Sequence, residues 1–327
     1  MAQTTAINTE LLTTYLIKKF VPALEYELQM QKFCQRATIP NMSGKTARWN
    51  TFANAGASAA EALTEGTATE HSVDIATTGV EGIIAEFGEF TKVNNLLELT
   101  AQPNTRSELA DRMGYGGALT LDTIVRDGES TVTMTGAIDA TIDFYCNTSS
   151  GGGVATAATP LAGSAAAIIG AAKLLRDNAA RGFSGISGHP DGHFAAIVGP
   201  QFELDMVTEE STDRMTWAKA VTNVAGNMGQ TKWVNGYMGS VYGTAVYRTQ
   251  NLTQTTVTVS ADNNYLIADN ALGCLDLGDA DPQIYINTAS AGDIGNPYRN
   301  ANTVAWHAYF AAALIDANRI VRIYSAA

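Results

Sequence analysis

The chain has 327 residues and a net charge of −12; 46% of its residues are hydrophobic and only 16% are charged. An acidic chain of this kind is no dedicated nucleic-acid binder, because phosphate affinity is carried by clustered Lys and Arg. No stretch approaches the roughly 18 apolar residues of a membrane span, and the polar opening AQTTAINTE has no apolar leader behind it.

Cys34, Cys146 and Cys274 are widely spaced and form no CxxC pair, which predicts buried thiols in a reducing compartment and synthesis in a cytoplasm. The charged fraction lies well below the roughly 25% of ordinary soluble proteins. A chain with so few charges has less surface to keep wet, so much of its exterior is predicted to lie under neighbouring subunits.

Residues 9–36 read as an amphipathic helix, with Leu12, Leu16, Phe20, Leu24, Leu28 and Phe33 near helical spacing. Pro22 kinks or divides it. The helix belongs to an N-terminal arm over 1–44 that includes the basic residues Lys18, Lys19, Lys32 and Arg36. Residues 1–50 sum to +3 and residues 51–100 to −7, an asymmetry able to steer subunits together.

Residues 45–94 look like strand material with nothing of their own to pack on. GKTARWNTF opens the segment and VEGIIAEFGEFTKV closes it, around an Ala-, Gly-, Thr- and Glu-rich tip. A two-stranded hairpin cannot bury enough surface to be stable alone, and a long loop in a compact domain is usually functional. The segment is therefore predicted to complete its fold on another subunit. Trp49, Phe52, Phe87 and Phe90 are the expected apolar contacts. Glu61, Glu65, Glu70, Glu86 and Glu89 are expected to pair with Lys or Arg of a neighbour, with bending at Gly56, Gly66 and Gly79.

Further on, Thr105 and Glu108 form a capping-box pattern for a helix running to about Arg126, with Leu109, Met113, Leu119 and Ile124 as its buried stripe. Gly114, Gly116 and Gly117 weaken it locally. STVTMTGAIDATIDFYC reads as a strand pair and SSGGGVATAATP as a linker. A helix ended by Gly182 follows, then the buried strand FAAIV and a helix from Pro200. Short strands occupy the remainder, closing with TVAWHAYFAAALIDANRIVRIYS as two strands joined by a turn near Asp316 to Asn318. No βαβ rhythm is present, so the fold class is α+β.

Chemical motifs are weak. SGKT at Ser43 to Thr46 lacks the Gly that a phosphate loop needs at position 39, which is Ile. DLGDADP misses calcium-loop spacing and reads as a solvated acidic turn. GGGVAT lacks the last Gly of a dinucleotide fingerprint, and no nucleophile elbow occurs. His189, Asp191 and His193, in HPDGH, are ligand types for a transition metal, but a structural site needs about four ligands. No cofactor is expected.

IPNMSGKTARW, ALTEGTATEHSVDI, LTLDTIVRDGE, AAKLLRDNAARGF, HFAAIVGPQFELDM and NGYMGSVYGTAVYRTQNL occur in one order along the chain. In that order and wording the sequence resembles tailed-bacteriophage major capsid proteins of the Hong Kong 97 fold, in the branch typified by coliphage N-four. The resemblance implies an N-terminal helical arm (1–44), an extended loop (45–94), a spine helix with peripheral domain (95–155), an axial domain (156–275) and closing strands of the peripheral domain (276–327). It implies no enzyme. It implies self-assembly into hexamers and pentamers around double-stranded DNA held non-specifically, a virion location after assembly in the host bacterial cytoplasm, and no membrane partner. A portal and a cement or decoration protein are further implied partners, and the lack of an evident propeptide points to a separate scaffold. Lys18, Lys19, Lys32 and Arg36 would face the lumen. The alternatives are an enzyme centred on His189, Asp191 and His193, or a cellular encapsulin-like shell.

Deleting residues 54–78 is expected to leave a foldable subunit that builds no stable shell; normal particles in electron micrographs of that variant would refute the role. Reversing Lys18 and Lys19 to Glu is expected to lower particle yield or DNA content without altering the isolated subunit.

Overall fold

The described residues form two large sheets and one of two strands, and alternating burial along one long C-terminal strand organises the first of them. The computed structural model describes residues 29–52, 75–94, 105–129, 134–146, 153–154, 160–208, 236–256, 260–278, 282–287 and 301–327. A 3-10 turn, Met30–Phe33, leads into β1 (Cys34–Ile39), β2 (Thr46–Phe52), β3 (Thr77–Ile83) and β4 (Ala85–Asn94). Helix α1 (Thr105–Asp127) is followed by β5 (Ile142–Tyr145), β6 (Gly153–Val154), α2 (Ala165–Asp177), β7 (Phe194–Val198) and α3 (Pro200–Thr208). The rest is strand: β8 (Tyr237–Val241), β9 (Thr244–Arg248), β10 (Gln254–Thr256), β11 (Ser260–Ile267), β12 (Leu272–Leu277), β13 (Gln283–Asn287), β14 (Ala301–Leu314) and β15 (Ile320–Ala326). No helix among the described residues is long and apolar enough to cross a membrane.

Strand β14 is the axis of a five-stranded sheet. One edge pairs with β4 in antiparallel register, from Ala301 opposite Asn94 to Phe310 opposite Ala85. The other edge pairs first with β13 and then with β12, and β1 adds in parallel beyond β12. Val304, Trp306, Ala308 and Phe310 are buried while the residues between them are half-buried, as a strand with one core face requires. Helix α1 lies against this strand and against the turn at Met30.

The second sheet has eight strands in the order β6-β5-β15-β11-β7-β9-β8, with β10 beside β11. All five residues of β7 are buried, which suits a strand covered on both faces. Helix α2 packs here through Ile168, Ala171, Ala172 and Leu175. Ser164 caps it, its Oγ accepting the Ala167 N–H at 3.2 Å.

Several expectations need correction. The N-terminal helix cannot extend to 36, because Cys34 to Ile39 pair in register with Leu272 to Leu277; residues 1–28 lie outside the described residues. Phe33 ends the short turn instead of a helical stripe, and long-range pairing overrides local periodicity. The closing half of 45–94 is two strands. The Ile84 N–H donates to the Lys45 carbonyl at 2.8 Å, sealing the β2–β3 hairpin, and the next ten residues join the main sheet. In α1, Met113 and Ile124 are buried as expected, but Leu119 is 37% exposed. The buried face runs instead through Ala110, Ala118, Leu121 and Val125, where small residues permit close packing, and the helix continues unbroken through its glycines. Helix α2 stops at Asp177 instead of Gly182, because Ala179 takes a left-handed conformation (φ 54°). Of the expected strand pair, residues 130–133 lie outside the described residues; the described part supplies the bridge Glu129 to Met134 and the strand β5. Strands β14 and β15 are joined by the expected turn, capped by Asp316, and lie in different sheets.

Trp49 fixes the hairpin to the body. It is only 8% exposed and lies over two glycines: a Cβ on Gly273 would sit 2.6 Å from its Cζ2, and one on Gly82 would sit 2.9 Å from its Cζ3. It is thus an anchor within its own chain. Gly273→Ala is expected to destabilise by about 1–3 kcal/mol through overpacking, and Trp49→Ala by about 3–5 kcal/mol through the cavity it leaves. Denaturant melts measure both.

Candidate assembly surface

The HPDGH segment does not form a metal site. His189 is 5% exposed, its Nδ1 accepts from the Tyr247 hydroxyl at 2.8 Å, and its Nε2–H donates to the His193 carbonyl at 3.0 Å. The His193 ring turns to the Asp191 carbonyl at 3.1 Å, and the Asp191 carboxylate accepts the Gly185 N–H at 3.0 Å. Both nitrogens of the buried ring are used, and the three side chains do not converge. Among the described residues no group of three or more His, Cys, Asp and Glu is placed to hold a metal ion. The three side chains on which the enzyme alternative was centred therefore do not meet around a common point.

The segment instead builds an aromatic socket for Phe33. The Phe33 ring lies 5.3 Å from that of Phe183, 4.9 Å from Tyr247 and 5.5 Å from His189, centroid to centroid. Burial lowers the His189 pKa from the usual 6.5, so the ring is neutral with its proton on Nε2.

Among the described residues, exposed apolar side chains lie elsewhere. Strands β2 and β3 pair from Thr46 opposite Ile83 to Phe52 opposite Thr77 and form a sheet of only two strands. Beyond the Trp49 anchor it is mostly exposed. Phe52 and Ile75, at its far end, are 68% and 53% exposed. Arg48 lies across Gly79 and reaches Glu81 at 4.0 Å, in water, where such a pair contributes little. Glu61, Glu65 and Glu70 lie outside the described residues, as do Lys18, Lys19, Gly56 and Gly66.

A second open surface is the outer face of the five-stranded sheet. Phe90 of β4, Ala305 of β14 and Tyr285 of β13 stand side by side in register, with Phe90 63% and Tyr285 47% exposed. One step along, the His307 ring meets Tyr309 edge-on at 4.4 Å and pairs with Glu86 at 2.7 Å. Glu86 is thus paired within its own chain while its side chain stays 67% exposed, and Phe87 is half-buried against the core. Glu89 and Arg36 are exposed, and Lys32 donates to Gln29 Oε1 at 3.3 Å. His307, Tyr309 and Tyr285 were missed by sequence reasoning. The strict alternation of TVAWHAYF carried the signal, since it separates His307 and Tyr309 from the buried Trp306 and Phe310.

No protein-family profile and no curated protein sequence matches the chain. Solved structures do. The capsid of Ralstonia phage GP4 matches with a TM-score of 0.65 at 14% identity, over 92% of each chain. The capsid of cyanophage P-SCSP1u matches at 0.59 and 15% identity, over 92% of this chain and 89% of that one. A chain of Mycobacterium phage Ogopogo matches at 0.60 and 11% identity, over 92% and 93%. At such identities the likeness is one of fold, and it spans nearly the whole of both chains.

The depressed His189 pKa fixes a pH dependence. The unfolded chain takes up a proton near pH 6.5 that the folded chain resists, so this contribution to stability is complete above that pH and is lost as pH falls through the lower folded value. Melting temperature is expected to fall below pH 6.5, and His189→Gln to remove that part of the slope. Tyr247→Phe, which leaves the buried Nδ1 without a donor, is expected to cost about 1–3 kcal/mol.

Proposed function

We propose that the chain is the shell-forming subunit of a tailed-phage head, built on the Hong Kong 97 fold, with a structural role and no catalytic one. The observation that carries this reading is the fold shared with phage capsids over 92% of the chain. The exposed hairpin and the exposed aromatic row supply the physical means. Each carries apolar side chains that are exposed among the described residues, Phe52 and Ile75 on one and Phe90 and Tyr285 on the other, and the two are different surfaces. A hairpin of one copy laid on the sheet of the next makes a head-to-tail contact, the kind that closes into rings. Each buried Phe contributes about 1.5–3 kcal/mol, and many such contacts add up in a closed shell.

In this reading copies form hexamers and pentamers, α1 serves as the spine, and the hairpin is the part that adapts between five- and six-fold rings. The shell encloses double-stranded DNA in the virion after assembly in the host cytoplasm. A separate scaffold, a portal and a decoration protein complete the head. The N-terminal basic residues, Lys18, Lys19, Lys32 and Arg36, face the lumen.

Phe52→Asp and Phe90→Asp test the reading. Both side chains are exposed in the single chain, so each variant is expected to melt within about 0.5 kcal/mol of the wild type while particle yield in electron micrographs collapses. Regular shells from both variants would contradict the proposed contacts.

A further inference from the structure

The loop before β7 is closed by its own hydrogen bonds. The His193 carbonyl accepts the Phe183 N–H at 2.9 Å and the His189 Nε2–H at 3.0 Å, and the Phe183 carbonyl accepts the Gly192 N–H at 2.7 Å. The His189 N–H donates to the Ile186 carbonyl at 3.1 Å. Residues 183–193 thus form a small unit that turns His189 and Phe183 inward, against Phe33 of the Met30 turn and Tyr247 of β9. Phe33 is 1% exposed, and the strand that follows it, β1, lies at the end of its sheet beside β12. Loop and turn therefore clasp each other at the margin of the fold. The other end of the turn has a separate hold: Asp122 Oδ1 of α1 accepts the Met30 N–H at 2.8 Å and the Gln29 N–H at 3.1 Å.

Within the clasp His189 has no place for a second proton. Its Nε2–H is already given to the His193 carbonyl, and its Nδ1 accepts from the Tyr247 hydroxyl at 2.8 Å. A proton on Nδ1 would set two donors face to face until the hydroxyl turned its own proton away, and Tyr247 is fully buried. The same proton would place a charge beside the rings of Phe33 and Phe183 in a site that is 5% exposed. Burial opposes that charge most strongly; the His193 carbonyl and Asp191 favour it, and the His193 ring opposes it. The sum keeps His189 neutral at a pH where a free imidazole is half charged. From β9 and β8 the ring is faced by Tyr247 and Tyr237, neutral phenols that burial holds above their usual range. The cation of the turn, Lys32, donates to Gln29 Oε1 at 3.3 Å.

We propose that this clasp is an acid-sensitive release: proton uptake by His189 opens residues 183–193 together with the Phe33 end of the turn, while both large sheets stay folded. The device is internal to one chain and does not depend on what the chain assembles into. Opening frees the ring to take up one proton below its ordinary value of 6.5. The open form therefore gains on the closed one as pH falls, and the gain ends where the closed form itself takes the proton. The loop can open without the sheets because its hydrogen bonds are local, and units of that kind open separately from a core.

Hydrogen exchange on the full-length chain, corrected for the intrinsic pH dependence of exchange, reads the opening amide by amide. Between about pH 7.5 and about pH 5.5 the opened population at Phe183, His189, Gly192 and Cys34 is expected to rise severalfold, toward the roughly tenfold per pH unit that one proton allows. The Cys34 N–H, which donates to the Gln31 carbonyl, reports the turn. The amides of β11 and β15, and that of Met30 on Asp122, are expected to keep their opened population. His189→Gln, whose side chain offers a donor and an acceptor but does not titrate, is expected to flatten the response, and His193→Asn to leave it in place. A flat response in the wild type, a response that survives His189→Gln or is lost in His193→Asn, or one shared equally by β11 and β15 would each overturn the proposal. Should His189→Gln fail to fold, the wild-type response and the His193→Asn chain decide it.

Discussion

The alternation along β14 is the constraint on which the molecule depends. Trp306 and Phe310 must face the core, which fixes the register of every strand beside it, since a slip of one residue would turn both outward. Three strands are ordered by that register: β4 on one edge, β12 and β13 on the other. With β4 committed to β14 and β1 committed to β12, the chain between them pairs with itself as β2 and β3. Trp49, over Gly82 and Gly273, holds this hairpin to the sheet.

The turn at Met30 is held in the same way: Phe33 sits in its aromatic socket and the amides of Gln29 and Met30 donate to Asp122. Hairpin and turn are both fixed to the core by aromatic side chains, Trp49 and Phe33. Since the body rests on strand alternation and close packing and not on particular side chains, sequences with little identity can share it, as the match to phage capsids at 14% and 15% identity illustrates.

Much of the fold was legible in the sequence. The 23 residues of α1, the helix from Pro200 and the strand FAAIV follow from caps, Pro placement and apolar runs. What failed did so for long-range reasons. Cys34 to Ile39 continues a helical pattern locally, yet its partners, Leu272 to Leu277, are more than two hundred residues away. Trp49 looked like an arm contact because nothing near it in sequence reveals the glycines at 82 and 273 that receive it. His189 and His193 looked like ligands because sequence shows residue types and not where a ring nitrogen points. Of the candidate contacts, Phe52, Phe90 and Glu86 are exposed, while Phe87 is half-buried against the core. Nothing within a single strand distinguishes these cases, because exposure on a sheet is set by the neighbouring strand.

The central claim is that the surfaces left open on one copy are covered by another. Electron cryomicroscopy of the purified, assembled protein tests it most directly. The account predicts closed shells in which the β2–β3 hairpin of each subunit lies on the five-stranded sheet of a neighbour, with Phe52 and Phe90 buried between copies. A discrete monomer whose hairpin folds back onto its own sheet would contradict it.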